Sequence, residues 1–239
     1  MRRPLALGGL RLGTRPLVVA AGGEAELDQL AAATGADAVE LRADLFDDPQ
    51  PDGLVAALTR LRAAGRPILL TVRTSAEGGR PWPDDRRAAL YAAGMPHVDA
   101  VDVEIASRDL AADVLPRARA AGCLVLLSAH YFHATPPRDT LLGLVERARA
   151  LGADLPKLAT HAGAAEDLRT LLDVTLAARD DGIVALGMGP FGPLSRIVLP
   201  AAGSVLTYGA AGRPTAPGQL PAAELAEWLA RLLPGGAQP

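Results

Sequence analysis

Eight short runs rich in Val, Ile and Leu alternate with alanine-rich amphipathic segments along 239 residues, and polar side chains collect near the ends of those runs. These observations predict an α/β fold: a single-domain (β/α)8 TIM barrel over residues 1–239 with a short N-terminal hairpin. Such barrels are usually about 250 residues long. A doubly wound open sheet is the competing fold. It does not usually carry eight βα units in so short a chain, and Ala20-Ala21-Gly22-Gly23 after the first run is no dinucleotide-binding turn.

The strands are expected at 17–21, 38–44, 67–73, 98–105, 124–130, 155–160, 182–189 and 203–210. Helical patterns lie at about 24–35, 52–64, 84–93, 108–121, 138–151, 164–178 and 222–233, with only a short turn at 191–198. Gly35, Gly65, Gly122 and Gly152 stand just past the last turn of four of these helices, where glycine commonly ends one. Pro16 and the glycines at 8, 9 and 13 suit a hairpin leading into the domain.

Composition narrows the function. Apolar residues are 49% and charged residues 21%, as in an ordinary globular protein, but aromatics are only 3%, so Ala, Leu and Val must build the core. A net charge of −3 with scattered arginines gives no basic stripe for nucleic acid. The single Cys123 allows no internal disulfide and, with no Cys/His cluster, no zinc or other metal site is expected. Arg11 and Arg15 interrupt any signal-peptide core, and no run reaches the roughly 18 apolar residues of a membrane span, so no membrane association and a cytoplasmic location are expected.

Of the 24 basic residues only Lys157 is a lysine. An amine that loses its proton can attack a carbonyl, whereas a guanidinium stays protonated. Lys157 lies in the apolar run Leu155-Pro156-Lys157-Leu158-Ala159-Thr160, and neighbouring strands end in chemistry-bearing groups. Glu40, Arg42 and Asp44 share one face of their strand by its period of two. Arg73 closes the next strand, Asp102 and Glu104 share a face of the fourth, and Ser128 and His130 end the fifth. Each has an ordinary structural reading, such as a salt bridge within the barrel or a core histidine. Together they describe an imine-forming site for a small anionic ketone or aldehyde, with His130 able to move protons near neutral pH. Arginines flanking Lys157 are expected to disfavour its ammonium.

The ordered motifs go further. Glu40-x-Arg42-x-Asp44, Thr71-x-Arg73-x-x-x-Glu77-Gly78-Gly79, Ser128-x-His130-x-Phe132-x-x-Thr135-Pro136, Lys157, Met188-Gly189-x-x-Gly192-x-x-Ser195-Arg196 and Ala216-Pro217-Gly218-Gln219 together resemble type I 3-dehydroquinate dehydratase from about residue 15 to 222. The resemblance implies a homodimeric shikimate-route enzyme that converts 3-dehydroquinate to 3-dehydroshikimate and water without a cofactor. It implies Lys157 as the imine-forming nucleophile, His130 as general acid and base, and Glu77 as the carboxylate that orients it. Arg196 would grip the substrate carboxylate, and Glu40, Arg42, Arg73, Thr215 and Gln219 would bind the ring hydroxyls and carboxylate region. Asp102 would support the histidine from behind, and Gly209 to Gln219 would form a mobile lid.

Four positions depart from the family pattern. Ala20 stands where a serine is expected, Thr215 where serine is commoner, Leu186 where methionine is frequent and Tyr208 where phenylalanine is usual. Two other functions fit the same residues: an aldolase-type lyase, which would want a phosphate site after the last two strands, and a sensor that binds without turnover. A sensor has no need of an imine-forming amine.

Overall fold

The computed structural model describes residues 5–233. Its N-terminal strands β1 (Ala6–Leu7) and β2 (Leu10–Arg11) pair antiparallel around Gly8-Gly9, forming the expected hairpin. Eight parallel strands follow: β3 (Leu17–Gly22), β4 (Ala38–Arg42), β5 (Ile68–Thr71), β6 (Ala100–Glu104), β7 (Leu124–Tyr131), β8 (Leu155–His161), β9 (Val184–Met188) and β10 (Leu206–Ala210). They run in the order β10-β3-β4-β5-β6-β7-β8-β9, each beside its sequence neighbour. The ends of the sheet meet where Val205 N–H donates to Ile183 O at 3.0 Å, and the result is a nearly closed (β/α)8 barrel.

Eight helices cover its outside: α1 (Leu27–Ala32), α2 (Pro51–Ala63), α3 (Asp84–Gly94), α4 (Arg108–Ala120), α5 (Arg138–Ala150), α6 (Ala165–Ala178), α7 (Gly192–Ala202) and α8 (Ala222–Leu232). Among the described residues, no helix is long and apolar enough to cross a membrane. The core has two parts. One is buried between sheet and helices; the other fills the barrel, where Leu17, Val19, Leu69, Leu124, Leu126, Leu155 and Val184 alternate with outward neighbours. Leu7 of the hairpin joins the interior cluster at 1% exposure, so the hairpin plugs that end of the barrel.

Aspartates just before alternate strands tie that same end together. Asp37, Asp99 and Asp154 each accept the N–H of a residue on the preceding strand, from Val18 (2.9 Å), Ile68 (2.8 Å) and Val125 (2.8 Å). Each also returns its own N–H to the carbonyl of that residue. The Gly-Ala-Asp sequences at 35–37 and 152–154 therefore do two jobs. Glycine ends a helix with positive φ, at 76° and 96°, and aspartate starts a strand in register.

Three elements differ from expectation. The first helix is short, a 3-10 turn at Glu24–Glu26 leading into α1, rather than one helix over 24–35. Strand β4 stops at Arg42, and Asp44 lies in a 3-10 turn, so it is buried without sharing the strand's alternation. The segment at 191–198 is not a short turn but part of the 11-residue α7. It contains two prolines, and neither breaks it. Pro193 sits in the first turn, where no N–H is needed. Pro200 removes the N–H that would reach Arg196 O, but Thr207 Oγ1 of β10 donates to that carbonyl at 3.1 Å. A tertiary hydrogen bond replaces the lost helical one.

That substitution can be tested. Thr207→Val keeps the shape and strands a buried carbonyl, so thermal unfolding should show a loss of about 1–2 kcal/mol, or roughly 2–8 °C in Tm. An unchanged melt would mean that the Arg196 carbonyl is satisfied in another way.

Candidate active site

The period of two points Glu40 and Arg42 of β4, Asp102 and Glu104 of β6, Ser128 and His130 of β7 and Lys157 of β8 into the C-terminal half of the barrel. Arg73 follows β5 on the same side. A cavity opens there, and Glu40, Arg42, Arg73, Glu77, His130, Lys157, Arg196, Thr215 and Gln219 all line it. Every substrate-facing residue expected from sequence is therefore brought to one place.

Lys157 is 3% exposed. Its Nζ donates to Asp102 Oδ2 at 2.8 Å and lies 3.5 Å from Glu40 Oε1, with the Tyr208 ring centroid 4.0 Å away. The nearest charges are thus carboxylates, not the arginines expected from sequence. Asp102 also differs from its expected place: its hydrogen bonds go to Lys157 and Arg73, and none to His130.

Arg73 organises this array. Its guanidinium donates to Asp102 Oδ2 (2.8 Å), Glu104 Oε1 (3.0 Å) and Ser128 Oγ (2.7 Å), and its backbone N–H to Asp44 Oδ1 (3.0 Å). Burial would lower Arg73, but Asp102 and Glu104 outweigh it and hold the cation charged. Burial would likewise raise Asp102, but Arg73 and Lys157 keep it well below the usual carboxylate range. Arg42 forms a two-point bridge to Asp44, at 2.8 and 2.7 Å. Glu40 accepts from Thr71 Oγ1 at 2.7 Å. Glu40 and Arg42 do not pair with one another; each has its own partner.

Asp44, Glu104 and Ser128 were expected at the strand ends without a task of their own, and Arg87 was not expected at all. Arg87 of α3 is fully buried, donating to Val72 O at 2.9 Å and bridging to Glu104. A signal for it was present, since an arginine at 87 lies on the same helix face as buried Leu90, Tyr91 and Gly94. Tyr91 Oη from that face donates to Asp102 O at 2.5 Å and so supports the strand that carries Asp102.

Glu77 reaches the cavity because the loop after β5 folds back sharply. Gly79 N–H donates to Thr74 O at 2.9 Å, and a Cβ on Gly79 would lie 2.0 Å from Arg73 O, so only glycine fits. From there Glu77 Oε2 meets His130 Nδ1 at 2.8 Å and accepts the His130 backbone N–H at 3.0 Å. An oxygen already accepting that N–H is placed to accept Nδ1–H as well, which leaves Nε2 as the free lone pair. Burial, with Arg73 and Lys157 nearby, holds His130 well below its ordinary value and hence neutral at neutral pH. Burial also raises Glu77, to about 7, against the opposing pull of Arg73.

Arg196, from α7, is the exception among these charges. It is 1% exposed and donates to three carbonyls, Tyr208 O (3.0 Å), Gly187 O (2.8 Å) and Gly192 O (2.9 Å). No carboxylate pairs with it among the described residues, and burial lowers it to about 10. A buried guanidinium held by neutral carbonyls at a cavity wall can receive an anion.

The family model for type I 3-dehydroquinase matches residues 17–233. The chain belongs to this family. A 3-dehydroquinate dehydratase of Klebsiella pneumoniae is 36% identical, over 81% of either chain, and one of Methanococcoides burtonii is 33% identical over 92% of this chain and 96% of its own. Among solved structures, the type I 3-dehydroquinate dehydratase of Clostridium difficile, determined with covalently modified comenic acid, superposes with a TM-score of 0.88 at 29% identity, covering 97% of this chain and 98% of its own. A deoxyribose phosphate aldolase of Aeropyrum pernix, at 14% identity and a TM-score of 0.61, shares the barrel alone.

Two family departures take on a definite place. Ala20 belongs to the core outside the barrel, and the inward residue beside it is Ala21, so a missing hydroxyl at 20 is not missing from the cavity. Thr215 donates from both N–H (2.7 Å) and Oγ1 (3.1 Å) to Gln219 Oε1, which turns the Gln219 carbonyl away from any ligand and leaves its amide as the donor. The segment expected to be the lid begins after β10, since Gly209 is within the strand. It lies over the cavity rim, with Gly189 N–H donating to Pro217 O (3.2 Å) and Arg213 Nε 3.3 Å from Glu26 Oε1.

The raised Glu77 has a measurable sign. The folded protein holds its proton between pH about 4.5 and about 7, where the unfolded chain has lost it, so this group's stabilising contribution falls as pH rises through that window. In urea unfolding, Glu77→Gln should remove that decline relative to the native protein, while the two curves run parallel above pH 8. Parallel curves across the whole range would mean that Glu77 is an ordinary carboxylate.

Proposed function

We propose that this protein dehydrates 3-dehydroquinate to 3-dehydroshikimate through an imine on Lys157, as a step of the shikimate route. The observation that carries the reading is the arrangement in one cavity of the chain's single lysine, a neutral histidine and an unpaired buried arginine. Arg196 receives the substrate carboxylate, and Gln219, Arg42 and Glu40 bind the ring oxygens. The C3 ketone then faces Lys157.

The Lys157 ammonium gives up a proton to His130 Nε2, and the free amine attacks C3 to form a carbinolamine, one N–H proton passing to the former ketone oxygen. His130 returns its proton to that hydroxyl, which leaves as water and gives an iminium that withdraws electrons from C2 and makes its proton acidic. His130 removes that proton, and the C2–H electron pair forms the enamine. The enamine electrons then return, the C1–O bond breaks, and the protonated His130 donates to the departing hydroxyl so that it leaves as water. Addition of water to the new iminium releases the product and returns Lys157 as the ammonium. The iminium is the only electron sink these steps require. Glu77 holds Nδ1 and so keeps Nε2 facing the reaction, and Asp102 stays anionic to position Nζ.

The lid segment shields the iminium from water that would compete for it. A homodimeric assembly accompanies this reading on the family resemblance.

Borohydride added during turnover should reduce the imine and leave a substrate-derived mass on the peptide containing Lys157. Lys157→Arg keeps the charge but should be as inactive as Lys157→Ala, read from the ultraviolet absorbance of the conjugated enone product. Turnover by either variant at the native rate, with no trapped adduct, would overturn the mechanism. For His130→Ala the expectation is a rate lower by about 10²–10⁴ with imine accumulating on the lysine, and an unchanged rate would remove His130 from proton transfer.

A further inference from the structure

Tyr208 is used by none of these steps as a hydrogen-bonding group, yet it stands in the middle of them. It projects inward from β10, lines the cavity and is 3% exposed. Its ring lies beneath Lys157 Nζ at 4.0 Å. Its hydroxyl is buried and finds no hydrogen-bond partner among the described residues, in an interior where the other buried polar side chains of the cavity are paired. A buried hydroxyl without a partner destabilises the fold that contains it. The same atom in contact with a bound molecule would have its partner supplied by that molecule.

Resting on the imine chemistry above, we propose that Tyr208 is a specificity-determining residue whose hydroxyl hydrogen-bonds a ring hydroxyl of the substrate next to the imine carbon, on the side away from the proton that is removed. Three features support this assignment. With its ring centroid 4.0 Å from Nζ, the phenol stands beside any molecule joined to that nitrogen. Val19 is directly opposite Tyr208 on β3, and the next inward residue there is Ala21, whose methyl offers no competing polar group. Burial, with Glu40 and Asp102 nearby, keeps the phenol protonated far above neutral pH, so it remains a donor. The ring and the hydroxyl have separate roles. The ring face stabilises positive charge on the nitrogen, in the ammonium and in the iminium alike; the hydroxyl recognises the substrate.

The test is Tyr208→Phe, which keeps the ring and removes one atom. Without ligand, its Tm should equal or exceed that of the native protein, because an unpaired buried hydroxyl has gone. With 3-dehydroquinate its KM should rise about 3- to 10-fold, the range of one neutral hydrogen bond, while kcat changes less than twofold. With the substrate analogue lacking the ring hydroxyl adjacent to the ketone, the native and Phe proteins should have the same KM. An unchanged KM for 3-dehydroquinate, or a loss that persists with the deoxy analogue, would overturn the assignment. Borohydride trapping on Lys157 in the same variant separates the two readings: a trapped adduct with unchanged KM sinks the Tyr208 assignment alone, and absence of an adduct in both proteins sinks the imine reading beneath it.

Discussion

The candidate site depends on one buried ion network with Arg73 at its centre. The guanidinium joins β5 to β6 and β7 through Asp102, Glu104 and Ser128, and Asp102 passes the connection to Lys157 on β8. Arg87 completes it from α3 by taking the other oxygen of Glu104. Charges in such surroundings survive only when each has a partner, because an isolated one would lose several kcal/mol of hydration with nothing in return. The network therefore holds Lys157 by necessity. Moving any member leaves another buried charge exposed to that penalty, so the position of the proposed nucleophile is coupled to four strands and a helix.

One buried cation of the site lacks a carboxylate partner among the described residues. Apart from Glu26, which faces Arg213 at the rim, the buried charged residues are the cations Arg42, Arg73, Arg87, Lys157 and Arg196 and the carboxylates Glu40, Asp44, Asp102 and Glu104. Arg87 has a second carboxylate in the exposed Asp84 at 2.6 Å, whereas Arg196 has carbonyl partners only. An anionic ligand would give Arg196 the counter-ion it lacks. Beside it, burial drives the two members of the His130–Glu77 pair toward their uncharged forms, lowering the histidine and raising the carboxyl to about 7. The low dielectric of the surroundings thus keeps the His130 imidazole neutral, with Nε2 as a free proton acceptor, beside a carboxyl that titrates near neutral pH.

Much of this was legible in sequence for a simple reason: a strand repeats every two residues, and a parallel barrel turns that repeat into layers. The alternation in β4, β6, β7 and β8 sufficed to put Glu40, Arg42, Asp102, His130 and Lys157 on one side. What could not be read was pairing between strands. Asp102 was expected behind His130 and is found against Lys157, because only the lateral order and stagger of β6, β7 and β8 decide which side chains meet. Asp44 left its strand's alternation when β4 gave way to a 3-10 turn, and helix α7 formed over two prolines because Thr207, distant along the chain, satisfied the carbonyl that Pro200 abandoned.

By itself, then, the amino-acid sequence determined the number and order of βα units, the faces of the strands and the motifs that mark the family, since each depends on local periodicity or on residue identity. Only the tertiary structure decided which charges neutralise one another, that Ala20 faces outward and Ala21 inward, that Arg196 has no counter-ion and that the Tyr208 hydroxyl is left unpaired beside Lys157. Those are properties of distances between strands and helices far apart in the chain. Whether a buried polar atom is satisfied depends on every group around it, and no local pattern encodes that sum.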